Sequence, residues 1–168
     1  ITTIDDYSRK ILFADFFLEE RTWWHILALQ SVILKYGAPL KYYPDQHSTF
    51  RYVKNRDKHN PWNTFTKFTD DVDPQWKQVL VDCKVGITYA LSPQAKGKVE
   101  RPYQWLQDHL VRTCVREGIT DIEIGRKILL AEVRDYNSKR VHSTTKEIPD
   151  IRFNKAIREN KTLFREFK

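Results

Sequence analysis

Residues 1–17 read Ile1-Thr-Thr-Ile-Asp-Asp-Tyr-Ser-Arg-Lys-Ile-Leu-Phe-Ala-Asp-Phe-Phe17, and this segment indicates the class of fold. Residues 1–6 and 11–17 are rich in β-branched and aromatic side chains, which favour strands. Between them lies Tyr7-Ser-Arg-Lys10, whose composition is typical of a turn. The pattern therefore predicts a β-hairpin.

The rest of the chain alternates between helical and strand-like patterns. Apolar residues recur at helical spacing over residues 22–36, where Thr22 is a candidate N-cap and Gly37 a candidate end. Residues 51–73 are polar and aperiodic, which is typical of an irregular connection. Further strands are predicted at residues 40–44 and 87–91, and further helices from Pro74 to Gly86, from Glu100 to Gly118, over residues 121–136 and from Pro149 to about Asn160. A hairpin followed by this alternation predicts an α/β fold with a mixed β-sheet and helices on its faces.

Composition indicates one globular domain with a polyanionic partner. The 168 residues are 40% hydrophobic and 13% aromatic, which is enough for a packed core and argues against a disordered or fibrous chain. The formal net charge of +7 and the pI near 9.4 favour a partner such as nucleic acid, because clustered Lys and Arg release counterions from phosphates.

Cysteine usage and hydropathy indicate the compartment. Cys83 and Cys114 lack metal-binding spacing, so we expect buried free thiols rather than a zinc site or a disulfide. No apolar run approaches the roughly 18 residues of a membrane span, and residue 1 begins directly in strand-like sequence without a leader. We therefore expect a cytoplasmic protein that does not interact with membranes.

Two acids lie at the boundaries of predicted elements, which suggests that they share a site. Asp45 closes the strand that leads into Tyr43-Pro-Asp-Gln-His-Ser-Thr-Phe50. Glu100 opens a helix after a turn predicted from Pro93 and Gly97. Two carboxylates about 4 Å apart repel by roughly 4 kcal/mol at an effective dielectric near 20, so converging acids need cations between them. A hard divalent metal is the usual solution.

These segments resemble the second and third acid motifs of the DDE transposases and retroviral integrases. In that family an aspartate follows a Tyr-Pro or similar strand end, and the glutamate lies in Pro-Gln-x-x-Gly-x-x-Glu, which reads Pro93-Gln-Ala-Lys-Gly-Lys-Val-Glu100 here. The resemblance implies an RNase H-like fold, a mixed sheet flanked by helices on both faces. Residues 1–160 would form the catalytic core of a bacterial insertion-sequence transposase, and residues 161–168 a C-terminal extension.

The resemblance also implies a chemistry, in which the parent protein hydrolyses a DNA phosphodiester and transfers the freed strand to target DNA. Such enzymes use two Mg²⁺ or Mn²⁺ ions, and here Asp45 and Glu100 would bind them. Transposon ends and target DNA are the expected partners, the parent is expected to form a homo-oligomer, and no small-molecule substrate is expected.

The family's first acid has no counterpart in these residues. It lies on a strand that precedes the hairpin, and that strand is not visible here, so the chain resembles an incomplete core that we expect to be inactive by itself. Asp5 and Asp6 do not replace it, because neighbours on a strand face opposite ways and the pair resembles the family's hairpin turn. Residues 1–6 and 40–44 are then expected to face an empty slot, which would be costly to leave open.

Further residues are candidates for contact with DNA. Lys96 and Lys98 match a family loop that lies along the reacting strand, although a solvated basic loop is the alternative. Arg101 and Gln104 are weaker candidates. His47 has two open roles, contact with phosphate or metal-bound water and hydrogen bonding to the backbone of its turn.

Downstream, residues 136–142 resemble the family's closing Tyr-Asn-x-x-Arg-x-His segment, in which we expect Arg140 and His142 to pack the loop, with contact to DNA as the alternative. Two rival functions stay open. One is a non-catalytic DNA-binding or assembly module derived from a transposase core, and the other is a structure-selective nuclease on the same fold.

Overall fold

A computed structural model describes residues 1–44, 75–89 and 93–167, and it describes residues 93–101 by their backbone. The predicted irregular connection at residues 51–73 lies outside the described residues. In chain order the elements are β1 (Thr2–Ile4), β2 (Ile11–Ala14), α1 (Thr22–Tyr36), β3 (Lys41–Tyr42), α2 (Gln75–Asp82), β4 (Gly86–Ile87), α3 (Pro93–Arg116), α4 (Ile122–Ser138) and α5 (Pro149–Arg158).

The predicted hairpin is confirmed. Strands β1 and β2 pair antiparallel, with Thr3 opposite Phe13 and an irregularity between Thr3 and Ile4. The Asp5 carboxylate accepts hydrogen bonds from the Ser8 amide at 2.7 Å and the Ser8 hydroxyl at 2.6 Å. Asp6 forms an ion pair with Arg9 at 2.7 Å. Both acids thus stabilise the turn, as the sequence predicts.

The described strands form two small sheets, so the prediction of one continuous mixed sheet is not met within these residues. Strand β3 pairs parallel with β4, with Lys41 beside Gly86 and Tyr42 beside Ile87, and β1 pairs with β2. The Tyr42 hydroxyl and the Thr3 hydroxyl lie 3.0 Å apart and share a hydrogen bond across the space between the two sheets. A side-chain contact therefore stands where a continuous sheet would have a backbone ladder.

Helix α1 has the predicted bounds, but one detail of its capping was wrong. The N-cap residue is Arg21, without a side-chain cap, and Thr22 is the first helical residue. Gly37 ends the helix at a φ of +94°, a conformation that L side chains rarely adopt. Helix α4 is capped by Asp121, whose carboxylate accepts from the amides of Glu123 and Ile124 at 2.8 and 2.9 Å.

Helix α3 begins earlier than predicted, so the turn expected before Glu100 was wrong. Pro93 is the first helical residue, a position where proline's missing N–H costs nothing. Gly97 is accommodated inside the helix, and Glu100 is its eighth residue. Leu106 of this helix is buried at 3% exposure, whereas Tyr103 is 46% exposed.

Each sheet has its own hydrophobic cluster. The β3–β4 pair packs with α1 and α2 around Trp76 and Leu80, which are 1% and 0% exposed. The hairpin packs with α3 and α4 around Ile11 and Leu106. Cys83 and Cys114 are free thiols, as predicted, but both are only partly buried.

Candidate functional site at the carboxyl ends of strands β3 and β4

The two predicted acids follow neighbouring parallel strands. Strand β3 ends at Tyr42, three residues before Asp45, and β4 leads after Ile87 into α3, which contains Glu100. Tyr42 and Ile87 are direct partners in the parallel ladder, so the carboxyl ends of both strands lie at the same edge. In α/β proteins this edge is where ligands and catalytic groups collect.

The structure describes only some of the predicted site residues. Asp45 and His47 lie outside the described residues. Lys96, Lys98, Glu100 and Arg101 lie in α3, where the backbone is described. Positions 96, 100 and 104 follow at four-residue steps and therefore share one face of this helix, and the Gln104 side chain is exposed.

A cavity of about 1080 Å³ lies between the two sheets. One side of it is lined by residues 1–7, which include β1, and another by residues 39–44, which include β3. Apolar side chains of two helices, Ala28 and Val32 of α1 and Phe153 and Ala156 of α5, also line it.

Backbone geometry shows how the two strands border this cavity. The carbonyls of Leu40 and Tyr42 accept hydrogen bonds at 3.1 and 3.0 Å from the amides of Gly86, in β4, and Thr88, directly after it. Because successive residues of a strand direct their backbone groups to opposite sides, those of Lys41 point away from β4. On the hairpin, Ile1 and Asp5 bond to the β2 side, so the backbone groups of Thr2 point away from β2. Two strand edges thus border the cavity.

Tyr42 anchors β3 beside the cavity. Its ring meets Trp76 edge to face with centroids 5.5 Å apart. Desolvation raises the pKa of the Tyr42 phenol to about 12, and the hydrogen bond with Thr3 opposes this shift. The phenol therefore stays neutral at physiological pH and can keep its hydrogen bond across the two sheets.

Comparison with known proteins finds sequence similarity to transposases. The chain is 32% identical over 134 residues to y4bF of Sinorhizobium fredii, which is named as a transposase. It is also 29% identical over 138 residues to the transposase for insertion sequence IS1202 of Streptococcus pneumoniae. The chain is related to transposases. These matches cover 80% and 81% of the chain but only 27% and 28% of the relatives' length. No protein-family model and no solved structure matches it.

In the segment 136–142, Arg140 and His142 both make contacts within the chain, although Arg140 itself is exposed. The Arg140 guanidinium lies 4.6 Å from the centre of the Trp105 ring, and the His142 amide donates to the Glu147 carbonyl at 3.0 Å. Asn137 belongs to this Tyr-Asn-x-x-Arg-x-His segment, but the sequence did not predict its role. Its side-chain amide donates to the Ile11 carbonyl and accepts from the Ile11 amide, both at 2.9 Å. This amide pairs with β2 as a neighbouring strand would, and its polarity inside an amphipathic helix is the signal that could have identified it.

The metal site that the sequence predicts cannot be located among the side chains that the structure describes. Within residues 1–44, 75–89 and 93–167, no three His, Cys, Asp or Glu side chains are grouped as a metal site would require. The predicted ligand pair involves Asp45, which lies outside these ranges, and the side chain of Glu100, which the structure does not describe. In the same ranges no helix combines the length and apolar character needed to cross a membrane.

Proposed function

We propose that this chain is an incomplete DDE-type catalytic core with an RNase H-like fold, and that the parent protein acts in DNA transposition. The observation that carries the proposal is the parallel pairing of β3 and β4, because it brings the segments that lead to Asp45 and Glu100 to one edge of a sheet. The relation to two transposases supports the same assignment.

In the proposed site, Asp45 and Glu100 hold two Mg²⁺ or Mn²⁺ ions. When bound, such ions activate the attacking water or 3′ hydroxyl and stabilise the leaving oxygen of the phosphodiester. The residues of the chain supply the ligand oxygens and their placement. Pro44, which directly precedes Asp45, is buried and so gives that acid a fixed starting point. The α3 helix gives Glu100 a rigid backbone.

In the proposed fold, a further strand occupies the cavity between the two sheets. A strand placed there would pair with the free edges of β1 and β3 and join the two small sheets into one mixed sheet. Its apolar side chains would contact α1 and α5, whose residues Ala28, Val32, Phe153 and Ala156 line the space. In the family that the sequence resembles, the first acid lies on this strand, so the complete site would contain three carboxylates.

DNA is the proposed partner. Lys96, Lys98, Arg101 and Gln104 would contact the phosphate backbone near the reacting strand, with His47 either at the phosphate or within its own turn. Such contacts carry no sequence information themselves. A homo-oligomer of the whole protein is part of the same proposal.

Manganese binding tests the proposed site directly. The bound fraction of Mn²⁺, measured by the loss of the free-ion electron paramagnetic resonance signal, should reveal a site in the 168-residue chain. Replacing a metal ligand should weaken binding at least about tenfold, so we expect this for Asp45→Asn and Glu100→Gln. The matched control is Glu117→Gln, an exposed acid directly after the last residue of α3 that pairs with Arg116 at 2.8 Å. Equal affinity in all four proteins would refute the site and favour a non-catalytic module.

A further inference from the structure

The segment 161–167 returns to the loop that leads into β3. The Arg165 amide donates to the Ala38 carbonyl, and the Ala38 amide donates to the Arg165 carbonyl, both at 2.8 Å. This reciprocal pair is one rung of an antiparallel ladder. Ala38 lies two residues before Leu40, so their backbone groups point to the same side of the extended chain. Arg165 therefore pairs with the part of this edge that β4 does not reach.

Side chains extend the same contact to two other elements. The Arg165 guanidinium donates to the Lys84 carbonyl at 2.5 Å, in the turn just before β4. The Phe164 ring lies 6.2 Å from Tyr36 at the end of α1 and 5.9 Å from Phe153 of α5. One short segment thus contacts α1, α5 and the starts of both strands of the β3–β4 sheet.

Gly37 makes this close approach possible. A Cβ atom built on Gly37 would collide with the carbonyl oxygen of Arg165, and the φ of +94° disfavours any other residue there. The end of α1 is thus shaped to admit the backbone of the C-terminal segment.

We infer that residues 161–167 form a clasp that fixes strand β3 and thereby positions Asp45; the second step rests on the proposed function. Strands β3 and β4 contain two residues each, and so short a ladder is marginal without further support. The clasp adds two backbone hydrogen bonds and one guanidinium bond at the start of this ladder. Arg165 is accordingly a positioning residue.

The test uses two substitutions at one position in the 168-residue chain. Arg165→Pro removes the amide that donates to Ala38. Arg165→Ala keeps this backbone rung and loses only the guanidinium bond to Lys84. Amide hydrogen exchange by NMR then reads the ladder at Ala38, Gly86 and Thr88, with the hairpin amide of Asp15 as the internal reference.

We expect Arg165→Pro to accelerate exchange at Ala38, Gly86 and Thr88 about tenfold relative to Asp15, because each lost bond contributes about a factor of two to ten. Arg165→Ala should have a smaller effect at Gly86. Mn²⁺ affinity should fall in Arg165→Pro. In Arg165→Ala it should stay close to that of the wild-type chain.

Unchanged exchange at Gly86 and Thr88 in Arg165→Pro would overturn the clasp. Faster exchange with unchanged Mn²⁺ affinity would overturn the positioning of Asp45. If Asp45→Asn shows that the wild-type chain has no Asp45-dependent metal site, the proposed function fails, and the exchange data alone still decide whether the clasp exists.

Discussion

Replacing Asn137 with alanine removes both hydrogen bonds that this side chain makes to Ile11. The Ile11 amide and carbonyl each have their partner at 2.9 Å, and the two residues are 1% and 7% exposed for Ile11 and Asn137. A buried polar group that loses its partner costs about 1 to 3 kcal/mol. Two such groups lose their partners here, and a trapped water could recover part of the loss. We therefore expect the free energy of unfolding to fall by about 2 to 5 kcal/mol.

The measurement is urea unfolding followed by tryptophan fluorescence and far-ultraviolet circular dichroism, with linear extrapolation to water. Ser138→Ala is the matched control. Ser138 is the next residue of α4, it is exposed, and its hydroxyl bonds within the helix to the Arg134 carbonyl at 2.7 Å. An exposed substitution of this kind should stay within about 0.5 kcal/mol of wild type. If Asn137→Ala lost less than about 1 kcal/mol with an unchanged slope, the pairing of Asn137 with β2 would not hold the hairpin on α4.

Two further predictions concern pH and salt. The pKa of Tyr42 is raised to about 12, so the folded state keeps its proton where the unfolded chain loses it near pH 10. Stability from this phenol is thus fully present below about pH 10 and should fall by about 2 to 3 kcal/mol by pH 12; if Tyr42→Phe shows the same alkaline decline in urea unfolding, the effect belongs to other tyrosines. Replacing both Lys96 and Lys98 with alanine should reduce the salt slope of DNA binding by up to about 2, because each phosphate contact contributes about 0.9. An unchanged slope in a fluorescence anisotropy titration would assign both lysines to a solvated surface.

The sequence predicted the elements whose determinants are local. The bounds of α1 follow from apolar spacing and from Gly37, and the hairpin follows from two strand-like runs around a turn in which Asp5 bonds Ser8, three residues away. The relation to transposases was also accessible, because the acid motifs are short and contiguous. The prediction from local sequence was wrong for the segment before Glu100. Proline and glycine there suggested a turn, but a proline at the first position and a glycine in the first turns are compatible with a helix that continues for 24 residues.

Only the tertiary structure decided how these elements combine. Asn137 bonds Ile11 across 126 residues, and Arg165 bonds Ala38 from the other end of the chain. No local pattern specifies such partners, because each member of these hydrogen-bonded pairs is an ordinary polar or backbone group until the fold brings the two together. The same holds for the separation of β1 from β3. Strand propensity predicted both strands, but the pairing of their edges depends on what lies between them, and in the described residues this is a cavity of about 1080 Å³.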